Sequence, residues 1–369
     1  MRCMRYFSKI YPCLCSYNNS IVLESWPSLR ATGFAFITWT NAWKALDALG
    51  IGDCIRQEHG FIDGAVIIST VSGKPVGHVS YKTRGTWYNY MFEFHTDHCS
   101  KLFKLADFEF FGLNCFLRFG RRGDHEGSFI EDLGHFKLVH LADGTILKTK
   151  GDSKFSLFSG EGYRSGFLPC DASTVFWYFS WTPDQVFKEE LQDNPAKMKQ
   201  FVLSKLENVP DQIRKFVELT ELDNLVLSPL VYRRSWEVLL GNISKGNVCV
   251  AGDALHPMTP DLGQGGCSAL EDGVVLARCL GKALLRNSSI GSKEEDMEAS
   301  AYKSIQTGLK TYAKERRRRS FDLITTAYLV GTIQQSSGAV MTFVRDALLA
   351  TWLRGLPLKK ADFDCGKIR

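Results

Sequence analysis

Asp253 closes an apolar tetrad, Val248-Cys249-Val250-Ala251, and is followed ten residues later by a glycine-rich run, Gly263-Gln264-Gly265-Gly266. These residue types suit a ligand that carries both hydroxyls and phosphates. A carboxylate accepts from sugar hydroxyls, and a run without bulky Cβ groups lets backbone N–H groups approach a ligand closely. The tetrad has apolar residues at every position, as an interior strand requires. Gly252 ends it. Pro257 and Pro260 then hold the chain extended, because each fixes φ and restricts the residue before it. Beyond the glycines, Leu270, Val274, Ala277 and Leu280 recur on one helical face. The start of that helix carries unpaired N–H donors and positive partial charge. The spacing therefore predicts strand, extended turn and helix over 248–280, with Asp253 at the strand's C-terminal edge.

Other clusters carry less chemistry. His95, His98 and Cys99 lie close together, but no fourth ligand at suitable spacing accompanies them, so no metal site is expected. No Ser/His/Asp or Cys/His triad is evident. His256, between Leu255 and Pro257, suits a structural hydrogen bond.

The pattern G-D-A-x-H-x-x-x-P-x-x-G-Q-G-x-x-x-A-x-E-D, complete over 252–272, closely resembles the second flavin-binding motif of FAD-dependent aromatic-ring and lipid monooxygenases. A strand ending in an acid, Ile21-Val22-Leu23-Glu24, continues the resemblance. So do Arg30-Ala31-Thr32-Gly33 and the run from Asn41 to Gly50. The resemblance is strongest to plant enzymes related to zeaxanthin epoxidase and salicylate hydroxylase. It implies that Asp253 contacts the ribityl chain of FAD and that Gly263, Gln264, Gly265 and Gly266 face the pyrophosphate and flavin. It also implies that Glu24 accepts from ribose hydroxyls and that Gly252 and Pro260 shape the same cofactor site. The fold implied is α/β: a three-layer, Rossmann-like FAD-binding domain, incomplete here, with an interleaved mixed-sheet substrate domain. The function implied is hydroxylation or epoxidation of an aromatic or lipophilic small molecule with NAD(P)H and O2, the cofactor carrying the reaction.

The chain departs from that family in three places. Residues 1–20 contain no glycine, so the G-x-G-x-x-G turn that should precede Glu24 is expected to be absent. Lys150 runs directly into Gly151-Asp152 without the apolar strand that would make this the family's G-A-D-G segment. Residues 82–130 are crowded with aromatics and show no sustained period. Two alternatives stay open: a flavin-free, inactive form of the fold, and another FAD oxidoreductase such as a prenyl-lipid reductase. The expected division is 21–80, 134–150 and 247–330 for the FAD-binding domain and 155–246 for substrate sheet and helices. The segment 82–130 is atypical, and 331–369 is a C-terminal helical tail.

Elsewhere, alternation predicts a hairpin over 65–79 and strands at 134–141, 145–150 and on either side of 171–173. Amphipathic helices are expected at 194–206 and 211–218. A long helix from about 295 should end at Arg319, its basic run Lys314-Glu315-Arg316-Arg317-Arg318-Arg319 forming a solvated C-terminus that complements the dipole. Peripheral contact with a lipid surface is the alternative use of that run. The tail around Phe343, Leu348, Leu349, Trp352 and Leu353 should pack against the flavin domain.

Composition is that of an ordinary globular chain: 369 residues, 44% hydrophobic and 23% charged, room for two domains. A net charge of +5 does not mark a nucleic-acid binder. No run reaches eighteen apolar residues, so no transmembrane helix is expected. The eleven cysteines are scattered without C-x-x-C pairs, and Cys249, Cys267 and Cys279 sit in apolar patterns. Reduced thiols in an intracellular protein are expected, cytoplasmic rather than plastid, because 1–20 lacks a clean amphipathic targeting pattern.

Overall fold

The computed structural model describes residues 20–24, 35–58, 62–83, 86–87, 90–93, 114–119, 131–143, 154–169, 174–182, 194–286, 294–338, 340–341, 343, 345 and 355–368. In chain order the first elements are β1 (Ser20–Glu24), β2 (Ala35–Thr38), α1 (Thr40–Ala48), α2 (Gly52–Glu58), β3 (Gly64–Ser69) and β4 (Pro75–Ser80). Short strands β5 (Lys82–Thr83), β6 (Thr86–Trp87) and β7 (Tyr90–Glu93) follow, then β8 (Asn114–Phe119) and the long β9 (Glu131–Asp143). Next come β10 (Lys154–Ser159), β11 (Tyr163–Pro169), β12 (Thr174–Trp181), α3 (Pro195–Lys205), α4 (Asp211–Leu219), β13 (Val226–Tyr232) and α5 (Ser235–Leu240). The chain closes with β14 (Ser244–Lys245), β15 (Val248–Gly252), α6 (Gly265–Leu285), α7 (Glu294–Gln334) and α8 (Leu356–Ala361).

The larger sheet has the order β13-β9-β12-β11-β10-β3-β4, antiparallel except where β10 meets β3. Its two faces separate by the period of two. From one face Phe158, Phe167, Trp177, Phe179 and Trp181 pack against Met198, Val202, Ile213 and Phe216 of α3 and α4. From the other, Leu168 and Phe176, with half-buried Phe155 and Tyr178, join the core that contains α1 and α6. The register pairs Gly166 with Tyr178, and the Tyr178 ring occupies the space beside Gly166.

The smaller sheet has the order β1-β8-β15-β14. Both β1 and β15 run antiparallel to β8, so they are parallel to one another and end on one edge. Glu24 and Ala251 share the partner Cys115, two strands and about 10 Å apart. A dinucleotide-binding unit places a parallel strand in that central position and leads from it into a helix. Here the position belongs to β8, drawn from the aperiodic 82–130 segment and running the opposite way.

Behind β15, α6 and α7 lie antiparallel. Gly308 of α7 abuts Cys279 and Leu280, where a Cβ would come within 3.1 Å of Leu280 Cα, so glycine permits the close crossing. Tyr312 donates from its hydroxyl to the carbonyl of Val250 at 3.1 Å and fixes α7 against β15.

One expectation is corrected. The long helix continues to Gln334, and the basic run lies inside it rather than at its end. The reason is that Arg316 and Arg319 are drawn inward by buried acids, so the run is a helix interior with partners, not a solvated terminus. The larger sheet takes in β3, β4 and β9, since alternation specifies a strand but not its neighbours. In the tail, Ala361 and Cys365 are buried in the main core, whereas Phe343 is 76% exposed. Leu348, Leu349, Trp352 and Leu353, the strand expected at 145–150, and His95, His98 and Cys99 lie outside the described residues. Among the described residues no cluster could hold a metal ion, and no helix is long and apolar enough to cross a membrane.

Candidate functional site

β15 delivers the chain to the site. Its last residue, Gly252, has φ +60° and turns the backbone sharply, so Asp253 stands just beyond the strand. The turn then runs through Pro257 to a single 3-10 turn, Pro260–Leu262, and reaches Gly263, again left-handed at φ +60°. A side chain at 263 would be strained and would also meet the Trp39 indole nitrogen at 3.0 Å. Gln264 is the N-cap residue of α6, and Gly265 begins the helix. A Cβ at Gly265 would meet no atom within 4 Å, so the space in front of the helix start is open. Trp39 Nε1, Thr259 Oγ1 and Gln264 Nε2 are buried polar atoms near this turn without a hydrogen-bonding partner among the described residues.

The expected cofactor set thus divides. Gly252, Asp253, Pro260, Gly263, Gln264, Gly265 and Gly266 come together around the β15–α6 turn. Glu24 ends β1 at the same sheet edge, two strands away.

Beneath the turn lies an ionic core. Asp272 Oδ2 accepts from the Gly252 amide at 2.7 Å and from His256 Nε2 at 2.8 Å, while its Oδ1 accepts from Arg316 Nε at 2.5 Å. Because a carboxylate only accepts, His256 carries its proton on Nε2. Glu271 accepts from Arg316 Nη1 at 2.6 Å, from Arg319 Nη2 at 2.7 Å and from Asn41 Nδ2 at 2.5 Å. Asn41 also donates to Gln264 Oε1 at 2.8 Å. Arg316 spans the two acids and donates to Ser268 Oγ at 2.8 Å. The Glu271, Asp272 and Arg316 side chains are all 0% exposed.

Electrostatics agree with the geometry. Burial, the largest influence, would raise the Glu271 carboxyl; the Arg316 and Arg319 charges more than offset it and hold the group below its ordinary value. Asp272 is likewise depressed, burial being outweighed by Arg316, His256 and the Gly252 amide. Burial would lower Arg316, yet Asp272 and Glu271 raise it. The core is therefore two carboxylates and a permanent cation. Nearby thiols are poor nucleophiles: burial pushes Cys267 up to about 12 and Cys279 to about 11.

The turn is also tied to the larger sheet. Asp261, in the 3-10 turn, forms a buried ion pair with Arg164 of β11, whose Nη1 donates to Gln334 Oε1 at 2.7 Å. Trp39 packs edge-on against Tyr81 at 5.1 Å, just after β4. The helix start and the Phe176–Tyr178 face thereby share one core.

An open helix N-terminus, a left-handed glycine, an adjacent strand-end acid and unpartnered buried donors fit the flavin half of FAD. On this side the residues suit the cofactor. Sequence reasoning missed the support beneath them: Asn41, Arg164, Asp261, Arg316 and Arg319. The available signal was the pair Glu271-Asp272 inside an otherwise apolar helix, which requires cations elsewhere in the chain.

The family model described as an FAD binding domain matches residues 220–296, the stretch that contains β15 and α6. Monooxygenase 2 of Arabidopsis thaliana is 43% identical over 390 aligned residues, covering 95% of this chain and 92% of that protein. HpxO of Klebsiella pneumoniae, solved with FAD and uric acid, superposes with a TM-score of 0.65 at 18% identity, over 92% of this chain and 88% of that one. A salicylate hydroxylase substrate complex superposes with a TM-score of 0.62 at 16% identity, over 90% and 91%. An α/β fold of this class, a complete flavin motif on an open helix start, and a relative matched along nearly its whole length converge: the chain belongs to the plant FAD-dependent monooxygenases.

Proposed function

We propose that this FAD-dependent monooxygenase acts on an aromatic or lipophilic small molecule, held between the start of α6 and the aromatic face of the larger sheet. The observation that carries the reading is the continuity of that face with the cofactor turn. Phe155, Leu168, Phe176 and Tyr178 belong to the same core as Trp39, Tyr81, Leu255 and Cys267. Such a wall excludes water and favours apolar or planar ligands. HpxO, whose structure holds uric acid, is consistent with a planar substrate. Bound FAD, reduced by NAD(P)H, supplies the oxygen chemistry. The chain's own residues bind and orient. Asp253 accepts from hydroxyls, the α6 amides face anionic or carbonyl oxygens, and the ionic core keeps both in place. Glu24 is assigned the ribose at the far end of the cofactor. Of the arginine run only Arg318 stays exposed, with Lys314 beside it, so this run is not assigned a lipid-binding role. An intracellular, reducing location is proposed on the buried free thiols Cys249, Cys267, Cys279 and Cys365, and a fluorescent fusion separates cytoplasm from plastid.

The antiparallel β8 favours a second reading for retention. β8 runs opposite to β15, so its C-terminal end lies at the sheet edge away from the β15–α6 turn, and on this reading the chain holds FAD weakly. A phosphate cradle supplies several backbone N–H bonds, each net about 0.5–1.5 kcal/mol and more to charged oxygens, so its loss would weaken binding by several powers of ten. The visible spectrum and an FAD titration of purified protein decide. Stoichiometric yellow protein that oxidises NAD(P)H with an aromatic substrate supports the first reading in full. Colourless protein that binds FAD only at high concentration supports weak retention. Protein that takes up no FAD at any concentration overturns the flavin reading.

A further inference from the structure

We propose that Asn41 is a positioning residue of the cofactor site, fixing which end of the Gln264 amide faces away from α1. The inference rests on the flavin reading above. It begins with Glu271, which is fully buried and, beside Arg316 and Arg319, ionised. An ionised carboxylate can only accept. Asn41 lies 2.5 Å from Glu271 Oε1 through Nδ2, so it must present its NH2 group there. The second hydrogen of that group goes to Gln264 at 2.8 Å, and Gln264 must then offer its carbonyl oxygen.

The two ends of a glutamine amide have nearly the same shape, so packing alone does not choose between them. Charge does. Two arginines hold a carboxylate, the carboxylate turns an asparagine, and the asparagine turns a glutamine. The outcome is a Gln264 NH2 directed away from α1. It is wholly buried and has no acceptor among the described residues, in the N-cap residue between Gly263 and the open space at Gly265. A donor so placed is matched by an acceptor on the ligand, a carbonyl or phosphate oxygen or a ring nitrogen of the cofactor. Left unmatched, a buried NH2 is destabilising. The inverted amide would present an oxygen to the same acceptor and repel it.

The test uses the full chain and FAD. FAD affinity is measured by fluorescence quenching, with the visible spectrum of bound flavin and the thermal midpoint recorded for each protein. Asn41→Leu frees Gln264 to invert and is expected to weaken FAD about tenfold. In a Gln264→Leu background the same substitution is expected to change affinity less than twofold, since the residue it acts through is gone. Gln264→Glu retains an acceptor for Asn41 but replaces the outward donor with an oxygen. It is expected to weaken FAD at least tenfold and to shift the flavin spectrum, with a lower thermal midpoint because a further carboxylate is buried. Equal weakening by Asn41→Leu in both backgrounds would show a purely structural role and overturn the proposal, as would an unchanged affinity in Gln264→Glu. Should Asn41→Leu not fold, Gln264→Glu decides alone. A wild-type chain that takes up no FAD overturns the flavin reading and this inference with it. A wild type that binds while the variants show no coupling overturns only the inference.

Discussion

Between the larger sheet and helices α3 and α4, Trp177, Phe179 and Trp181 meet Met198, Val202 and Phe216 in a core made of rings and methyl groups. Between α6 and α7, at equal burial, Arg316 meets Glu271 and Asp272. The first core is graded: its strength follows area and shape, and it tolerates swaps that conserve volume. The second is close to all-or-none, since removing one charge strands the others in a low-dielectric interior. The two also differ in what they determine. Aromatic packing holds the sheet to its helices without dictating polarity at any atom. The ionic core assigns a partner to each carboxylate oxygen, and two of those partners, the Gly252 amide and Asn41, belong to the cofactor turn or touch it. Stability rests on both cores, whereas the donor and acceptor pattern of the site rests on the second.

The comparison breaks most visibly at Arg316. Arg316→Met should lose about 3–5 kcal/mol in urea unfolding, the range for a buried pair deprived of one partner. Adding Glu271→Gln and Asp272→Asn should recover part of that loss. A loss below about 1 kcal/mol would show that water compensates the acids. Next in size, Asp253→Ala should weaken FAD about ten- to a hundredfold in a quenching titration, the scale of a hydrogen bond to a charged group, with a near-native unfolding midpoint. Glu24→Ala should weaken it less. Unchanged titrations for both would mean that the turn no longer serves a ligand.

Acid should separate the cores more gently. Glu271 and Asp272 are both held below their ordinary values, so their contribution is present above about pH 4 and is lost as pH falls through the folded values. Urea midpoints from pH 7 to pH 3 should fall in the wild type and fall less steeply in Glu271→Gln. The smallest effect is expected in the aromatic core. Phe179→Leu should lose about 1 kcal/mol equally at both ends of that pH range and leave FAD affinity unchanged. A change in affinity there would show that the sheet's inner packing also shapes the site.

The β15–α6 turn was legible in the sequence because its determinants are local. An apolar tetrad, two prolines and a glycine run each restrict their own backbone, and the structure places Asp253 and Gly263 where those restrictions lead. The ionic core was not legible because Asp272 and Arg316 are 44 residues apart and each looks solvent-seeking by itself. The arginine run read as a helix end for the same reason: charge density is visible in a sequence, pairing is not. The place of β8 was hidden differently. Its segment has no hydrophobic period, and no local rule states that an aperiodic stretch will enter the middle of a sheet. The membership of β3, β4 and β9 in the larger sheet depends on long-range pairing, which a period of two leaves open.

Four consecutive arginines on a helix advance by about 100° each, and in α7 they meet four different surroundings. Arg316 points at the acids, Arg317 gives Nη1 to the carbonyls of Val238, Leu239 and Gly241 at the end of α5, and Arg318 faces solvent. Arg319 returns to Glu271 and lies over the Phe363 ring at 4.7 Å. Identical side chains thus act as an index mark on a rotating shaft. Turning α7 by one residue would put either Ser320 where Arg319 meets Glu271 and the ring, or Glu315 where Arg316 meets the acids. The run fixes the angular phase of α7 by satisfying all of its neighbours at a single rotation.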